Sequence, residues 1–219
     1  MVPKERVQIS IAHQEPDRVP VFELTINSPV ASDIMGRQMY VGFGGWLCGK
    51  MFSEWMAEGR SLELILQIFQ DSIDLYTELG LDIFPLPPLP LTNETVEPLG
   101  ENRWRYTDPS TGIWRVIAYQ PDSDYHSEID SKIKQEGLPG LKEYVECLAR
   151  RPSIVSPDTM GGLRAVLEPV RDRFFILGQA DILFPTDSSW FPLFLEAMAL
   201  EPELIQKYFE VTTDAMLEL

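Results

Sequence analysis

Apolar and polar positions along the chain alternate between two periods, and the changes of period mark the elements. Residues 1–14 read as a short amphipathic helix with Val7, Ile9 and Ile11 as its apolar members, stopped by Pro16. Residues 19–24 form a short, mostly apolar run after a turn, the pattern of a buried strand. The clearest helix spans residues 61–79: Ser61 suits an N-cap, Ile65, Ile68, Phe69, Ser72, Tyr76 and Leu79 recur at helical spacing, and Gly80 suits the position just past the end. Residues 81–85 are a second apolar run directly after it. Strand, helix and strand thus follow in the order of a parallel crossover.

Residues 27–59 lie between these elements and read as a loop-rich stretch carrying Gly42, Gly44, Gly45 and Gly49 among Phe43, Trp46, Phe52 and Trp55. They are too aromatic for a solvated linker. Residues 86–98 are proline-rich and cannot continue a central strand. Two aromatic, β-branched runs, 103–106 and 113–119, flank a turn with Pro109 and Gly112, which predicts an inserted antiparallel hairpin. A helix over 138–151 stops at Pro152, and another is opened by Ser156, Pro157 and Asp158. Residues 174–178 read as a third buried strand running on towards 183, residues 185–200 as a loop and short helix. A last amphipathic helix starts at Pro202, with Leu204, Ile205, Tyr208, Phe209 and Met216 on its apolar side.

The expected fold is therefore α/β, a single domain over 1–219 of the (β/α)8 barrel type, incomplete, with about three parallel strands and the inserted hairpin. The final helix should feed a fourth strand, so the pattern is that of part of a larger fold.

Composition narrows the function. With 34 acidic against 18 basic residues the formal net charge is −16, and no Lys/Arg cluster reverses it locally, which argues against nucleic acid and anionic membranes as partners. No apolar run approaches the ~18 residues of a membrane span, and no signal-type segment opens the chain. Cys48 and Cys147 stand far apart outside any C-x-x-C arrangement, which suits reduced, buried thiols and a cytoplasmic location. Together with His13 and His126 they show no ligand spacing, so no metal is assigned to these residues.

Several strings have a functional and a structural reading. Gly42-x-Gly44-Gly45 could cradle a phosphate, but no strand leads into it and a flexible loop is favoured. Pro85 to Pro90 holds overlapping P-x-x-P strings, better read as a stiff loop than as an SH3 ligand. His13 precedes the first strand and reads as structural, and Asp17 with Arg18 as an ion pair or cap. Trp46, Phe52 and Trp55 could cover a flat tetrapyrrole, with packing of the long loop favoured. At the ends of strands, where barrel enzymes place working residues, Asn27, Asp181, Asp187 and Trp190 are the candidate substrate-binding residues.

One string is more specific. Lys4-Glu-Arg-Val7 followed by Ala12-His-Gln-Glu-Pro-Asp-Arg-Val-Pro-Val21 resembles the opening of the uroporphyrinogen decarboxylase-like superfamily. Phe52-Ser-Glu-Trp55, Tyr76-x-x-Leu-Gly-Leu-Asp82, the hairpin at 108–115, Leu177-Gly178, Phe194-Leu-Glu-Ala-Met198 and Glu201-Pro-Glu-Leu204 agree with it in order and spacing. The resemblance covers nearly all of this chain but only the first half to two thirds of such a protein. It implies an enzyme: a cofactor-free decarboxylase of porphyrinogen acetates, or a methyltransferase working with a corrinoid and, in its later strands, zinc. It further implies a small-molecule or tetrapyrrole substrate and a corrinoid protein as partner.

Residues here favour the methyl-transfer or an uncharacterised branch. The decarboxylases carry an arginine-rich string after strand one to clamp substrate carboxylates. This chain has Leu24-Thr-Ile-Asn-Ser28 there, and Pro87-Pro-Leu89 where the catalytic aspartate would close strand two. A competing expectation is a non-catalytic chain whose open sheet edges pair with another chain, either a second copy in a homo-oligomer or a completing partner.

Overall fold

A computed structural model describes residues 1–89, 92–150, 164, 167–178 and 184–217. Helix α1 (Pro3–Ile11) leads into an extended segment, then α2 (Ser28–Met35), a π-helical stretch over Trp46–Met51, α3 (Phe52–Ala57) and the long α4 (Ser61–Glu78). Strand β1 (Ile83–Pro85) follows, then β2 (Thr95–Gly100), β3 (Arg103–Thr107), β4 (Trp114–Gln120) and β5 (Tyr125–Ser131). Next come α5 (Lys132–Glu136), α6 (Leu138–Arg150), β6 (Phe175–Leu177), α7 (Phe191–Leu200) and α8 (Pro202–Leu217).

Helix α4 forms where its 3.6-residue period puts Leu64, Ile68, Phe69, Leu75 and Tyr76 on one buried side. Its end is a Schellman turn: Gly80 sits at φ +64, Gly80 N–H donates to the Thr77 carbonyl, and Leu81 N–H to that of Tyr76. The turn aims the chain into β1, whose Phe84 is fully buried against Tyr76 and Phe174. Helices α6, α7 and α8 close a second core around Trp190, Phe194 and Tyr208, and a third lies where the π-helical stretch and α3 meet α4.

The expected barrel does not form: the sheets are a two-stranded parallel pair, β1 with β6, and a separate four-stranded antiparallel sheet in the order β2-β3-β4-β5. Turn chemistry is the reason. Glu101 and Asn102 both have left-handed backbones, at φ +52 and +57, which closes β2 onto β3 in a two-residue hairpin. The Asp108 side chain caps the next turn through the Ser110 N–H and O–H, and Asp124 at φ +46 ends the third. Such turns return each strand antiparallel beside the last, whereas a barrel needs long crossovers. The predicted hairpin is thus the centre of a larger sheet, and β2 and β5 are additional to it.

The expected first strand, residues 19–24, forms no ladder. Val21 N–H donates to the Asp82 carboxylate at 2.7 Å and Asp82 N–H to the Val21 carbonyl at 2.9 Å. A side chain thus takes the place of a ladder acceptor, and Pro20 has no N–H to give. Val19 is 80% exposed and Val21, Phe22 and Leu24 are also at the surface, so this apolar run is not buried. The stretch 27–59, expected as loop, holds α2, the π-helical stretch and α3. The helix expected after Ser156 and the extension of β6 beyond residue 178 lie largely outside the described residues. Among the described residues no helix is long and apolar enough to cross a membrane.

Candidate functional site

An open cleft of about 710 Å³ lies between the antiparallel sheet and the glycine-rich stretch. Its floor is one sheet face, set by pairing. Tyr106 lies opposite Arg115, Ile117 opposite Glu128 and Tyr119 opposite His126. Between Val116 and Ile117 the register shifts by one residue, a β-bulge on β5 that takes Ile129 out of step. Without the bulge Ile129 would stand opposite Ile117, and Glu128 and His126 would turn to the other face. With it, Tyr106, Arg115, Ile117, His126 and Glu128 all line the cleft.

The facing wall reaches the sheet because it lacks side chains. Gly45 N–H donates to the Asp124 carbonyl at 2.9 Å and Trp46 N–H to Asp124 Oδ1 at 2.6 Å. A Cβ on Gly44 would come within 2.5 Å of Asp124 Oδ2, and one on Gly45 within 2.5 Å of the Tyr125 backbone. One on Gly49 would overlap His126 Cβ. The glycines are therefore contact residues of a packed wall.

Proton positions follow from the hydrogen bonds. The Ser53 hydroxyl donates to the Gly49 carbonyl, so at 2.7 Å the Tyr106 O–H donates to Ser53 Oγ. Burial raises the Tyr106 pKa, which keeps the phenol protonated. Glu128 Oε1 accepts from Ser189 N–H at 3.0 Å and from its hydroxyl at 2.6 Å, which fixes the carboxylate. Arg115 is held by Glu94 at 2.8 Å and lies over the Tyr106 ring. Burial pushes the Cys48 thiol up to about 12, so it is neutral and not a thiolate at pH 7.

His126 is half-buried, and desolvation lowers its pKa below the ordinary value against the opposing pull of Asp187 and Asp124. It is a neutral imidazole at pH 7, able to accept a proton in the cleft. Among the described residues no group of three His, Cys, Asp or Glu could hold a metal ion.

Of the residues expected to bind substrate, Asn27 and Asp187 both line this cleft although 160 positions separate them in sequence. Asn27 Oδ1 also accepts from Phe43 N–H at 3.1 Å, tying α2 to the glycine wall. Trp190 lies apart, buried at 5% exposure among Tyr144, Phe194 and Tyr208. Asp181 is outside the described residues. His13 stands at φ +58 after α1 and is exposed, and Asp17 and Arg18 bind the N-terminal segment as ion-pair partners of Arg6 and Asp82. Sequence reasoning missed His126, Glu128 and Asp124. Their one signal is a polar run, Asp124-Tyr-His-Ser-Glu128, with alternating polar positions, and the face it presents depends on a bulge that no local pattern marks. In comparisons with known proteins, no family model, no curated protein and no solved structure matches the chain.

Proposed function

We propose that the chain carries the ligand-binding part of a small-molecule enzyme of the uroporphyrinogen decarboxylase-like group, of the methyl-transfer, corrinoid-using kind and not a porphyrinogen decarboxylase. The observation that carries the choice is the sign of the cleft. Its charged lining is Asp124, Glu128, Asp187 and a single Arg115, and that arginine is already bound to Glu94. A porphyrinogen carries several carboxylates and needs free guanidinium groups to collect them. Residues 24–28 send Asn27, not an arginine, to the cleft.

In this reading His126 takes up or returns the proton of the methyl-accepting group, since it is uncharged at pH 7 and lines the same space as Asn27 and Asp187. Asn27 and the Tyr106 oxygen orient the ligand. The Phe43, Phe52 and Tyr125 side chains supply apolar wall, and the cleft lies in the size range of small-molecule sites, about 300–1,000 Å³. A reducing compartment, the cytoplasm, belongs to the same proposal and is supported by two cysteines that stand unpaired.

An absorbance titration with methylcobalamin on one side and uroporphyrin on the other tests it. A saturable corrinoid shift that weakens in Asn27→Ala is the expected result. A shift with the porphyrin alone would reassign the chain to the decarboxylases, and no shift with either would sink the proposal.

A further inference from the structure

We infer that the cleft recognises an organic cation of the substituted-ammonium class. This rests on the reading of the cleft as the ligand site, and it is independent of the corrinoid. Three carboxylates reach the cleft from separate places: Asp124 from the turn before β5, Glu128 from β5 itself and Asp187 from the segment before α7. They are spread around a space of about 710 Å³ and make no three-ligand cage for a metal ion among the described residues. The negative potential therefore suits a charge distributed over a larger body than a bare ion.

The walls between the carboxylates are aromatic. Phe43, Phe52 and Tyr125 line the same space, and an alkylated ammonium binds to aromatic faces through the ring quadrupole while its methyl groups displace water. The one cationic side chain in the lining, Arg115, is already paired with Glu94 and lies over the Tyr106 ring, and His126 is neutral. Glu128 is locked by two hydrogen bonds from Ser189, whose hydroxyl lies 2.9 Å from that of Ser131. A carboxylate fixed in this way needs no reordering to meet a cation. The net charge of −16 adds a long-range field that draws cations towards the molecule.

The test is isothermal calorimetry on the full chain with three probes: choline, its neutral isostere 3,3-dimethyl-1-butanol, and citrate as the anionic control. Choline should bind about tenfold or more tightly than the isostere, in keeping with cation–π and charge terms of roughly 1–2 kcal/mol in partly desolvated sites. Citrate should give no heat. Raising NaCl from 0.05 to 0.3 M should weaken choline and leave the isostere unchanged. Asp187→Asn, at an exposed position, and Glu128→Gln, which keeps an oxygen for Ser189, should each reduce choline affinity severalfold with the circular dichroism of the wild type. Equal affinity for choline and the isostere, preferential citrate binding, or no heat from any probe at millimolar concentration would overturn the inference. Choline heat without a corrinoid shift leaves this inference standing and removes the methyl-transfer reading; a corrinoid shift without choline heat does the reverse.

Discussion

His126 shows how one side chain's surroundings decide its chemistry. Its Cβ packs on Gly49, its ring is half-buried, and the desolvation that results outweighs the two aspartates near it, so its pKa in the folded protein lies below the ordinary value of about 6.5. The sign of the stability effect follows. Above about pH 7.5 neither state holds the extra proton, and His126 contributes nothing to the pH dependence. As pH falls below that, the unfolded chain takes up the proton first, so the folded state loses stability until its own lower pKa is passed. His126→Gln removes this contribution. Urea unfolding at pH 8.5, 7.5 and 5.5 should show a constant difference between wild type and variant in the upper interval. In the lower interval the wild type should lose stability relative to the variant. A difference that stays constant down to pH 5.5 would mean that the imidazole is not held neutral in the fold.

At the scale of elements, the part of the fold legible in the sequence is the part fixed locally. Helix α4 is readable because its apolar spacing and Gly80 agree on where it runs and where it ends. A left-handed residue without glycine's freedom costs about 1–2 kcal/mol, and a Cβ on Gly80 would meet no neighbouring atom. Gly80→Ala should therefore lower the unfolding free energy by roughly 1–2 kcal/mol through backbone strain alone. Chemical denaturation would read it, and an unchanged midpoint would contradict the Schellman geometry. The β3–β4 hairpin and helices α6 and α8 are legible for the same local reasons. Strand β5 is not: its sequence is polar, its partner is set by the turn that precedes it, and its bulge decides which residues face the cleft. Residues 19–24 fail in the opposite direction. They have the composition of a buried strand, but Asp82 takes up the Val21 N–H and the run stays at the surface. Half of the candidate site was visible as isolated residues, Asn27 and Asp187. The other half exists only once the sheet has formed.

Across the whole molecule, a strongly acidic chain keeps its parallel pair in place with a buried ionic cluster. Asp82 is fully buried at the entry to β1 and is bound by Arg6 from α1, by Arg18 at 2.6 Å and by the Val21 N–H. Arg6 also bridges Asp17 at 2.6 Å, and the hydrogen bond between them holds the Asp17 carboxyl well below the usual range. On the other flank, Lys4 N–H donates to the Arg173 carbonyl at 3.0 Å, just before β6. Helix α1 therefore spans β1 and β6 at the end of the pair. Since β1 and β6 are three residues each, their ladder alone cannot hold them together. Asp82→Ala would leave the buried Arg6 guanidinium without its innermost carboxylate, and losing one partner of a buried pair costs about 3–5 kcal/mol. The expected result is a comparable loss in urea-derived stability, with protease cleavage around residues 19–24 appearing under conditions that spare the wild type. Asp17→Ala should do less, because Asp17 is partly exposed and Asp82 would still hold Arg6. If the two substitutions cost the same, or if Asp82→Ala leaves the N-terminal segment protected, then packing of α1 and not this carboxylate fixes the segment to the sheet. The antiparallel sheet carrying His126 and Glu128 should keep its near-native signal in either variant, since its contacts with the glycine wall run through Asp124, Tyr125 and His126 and not through β1.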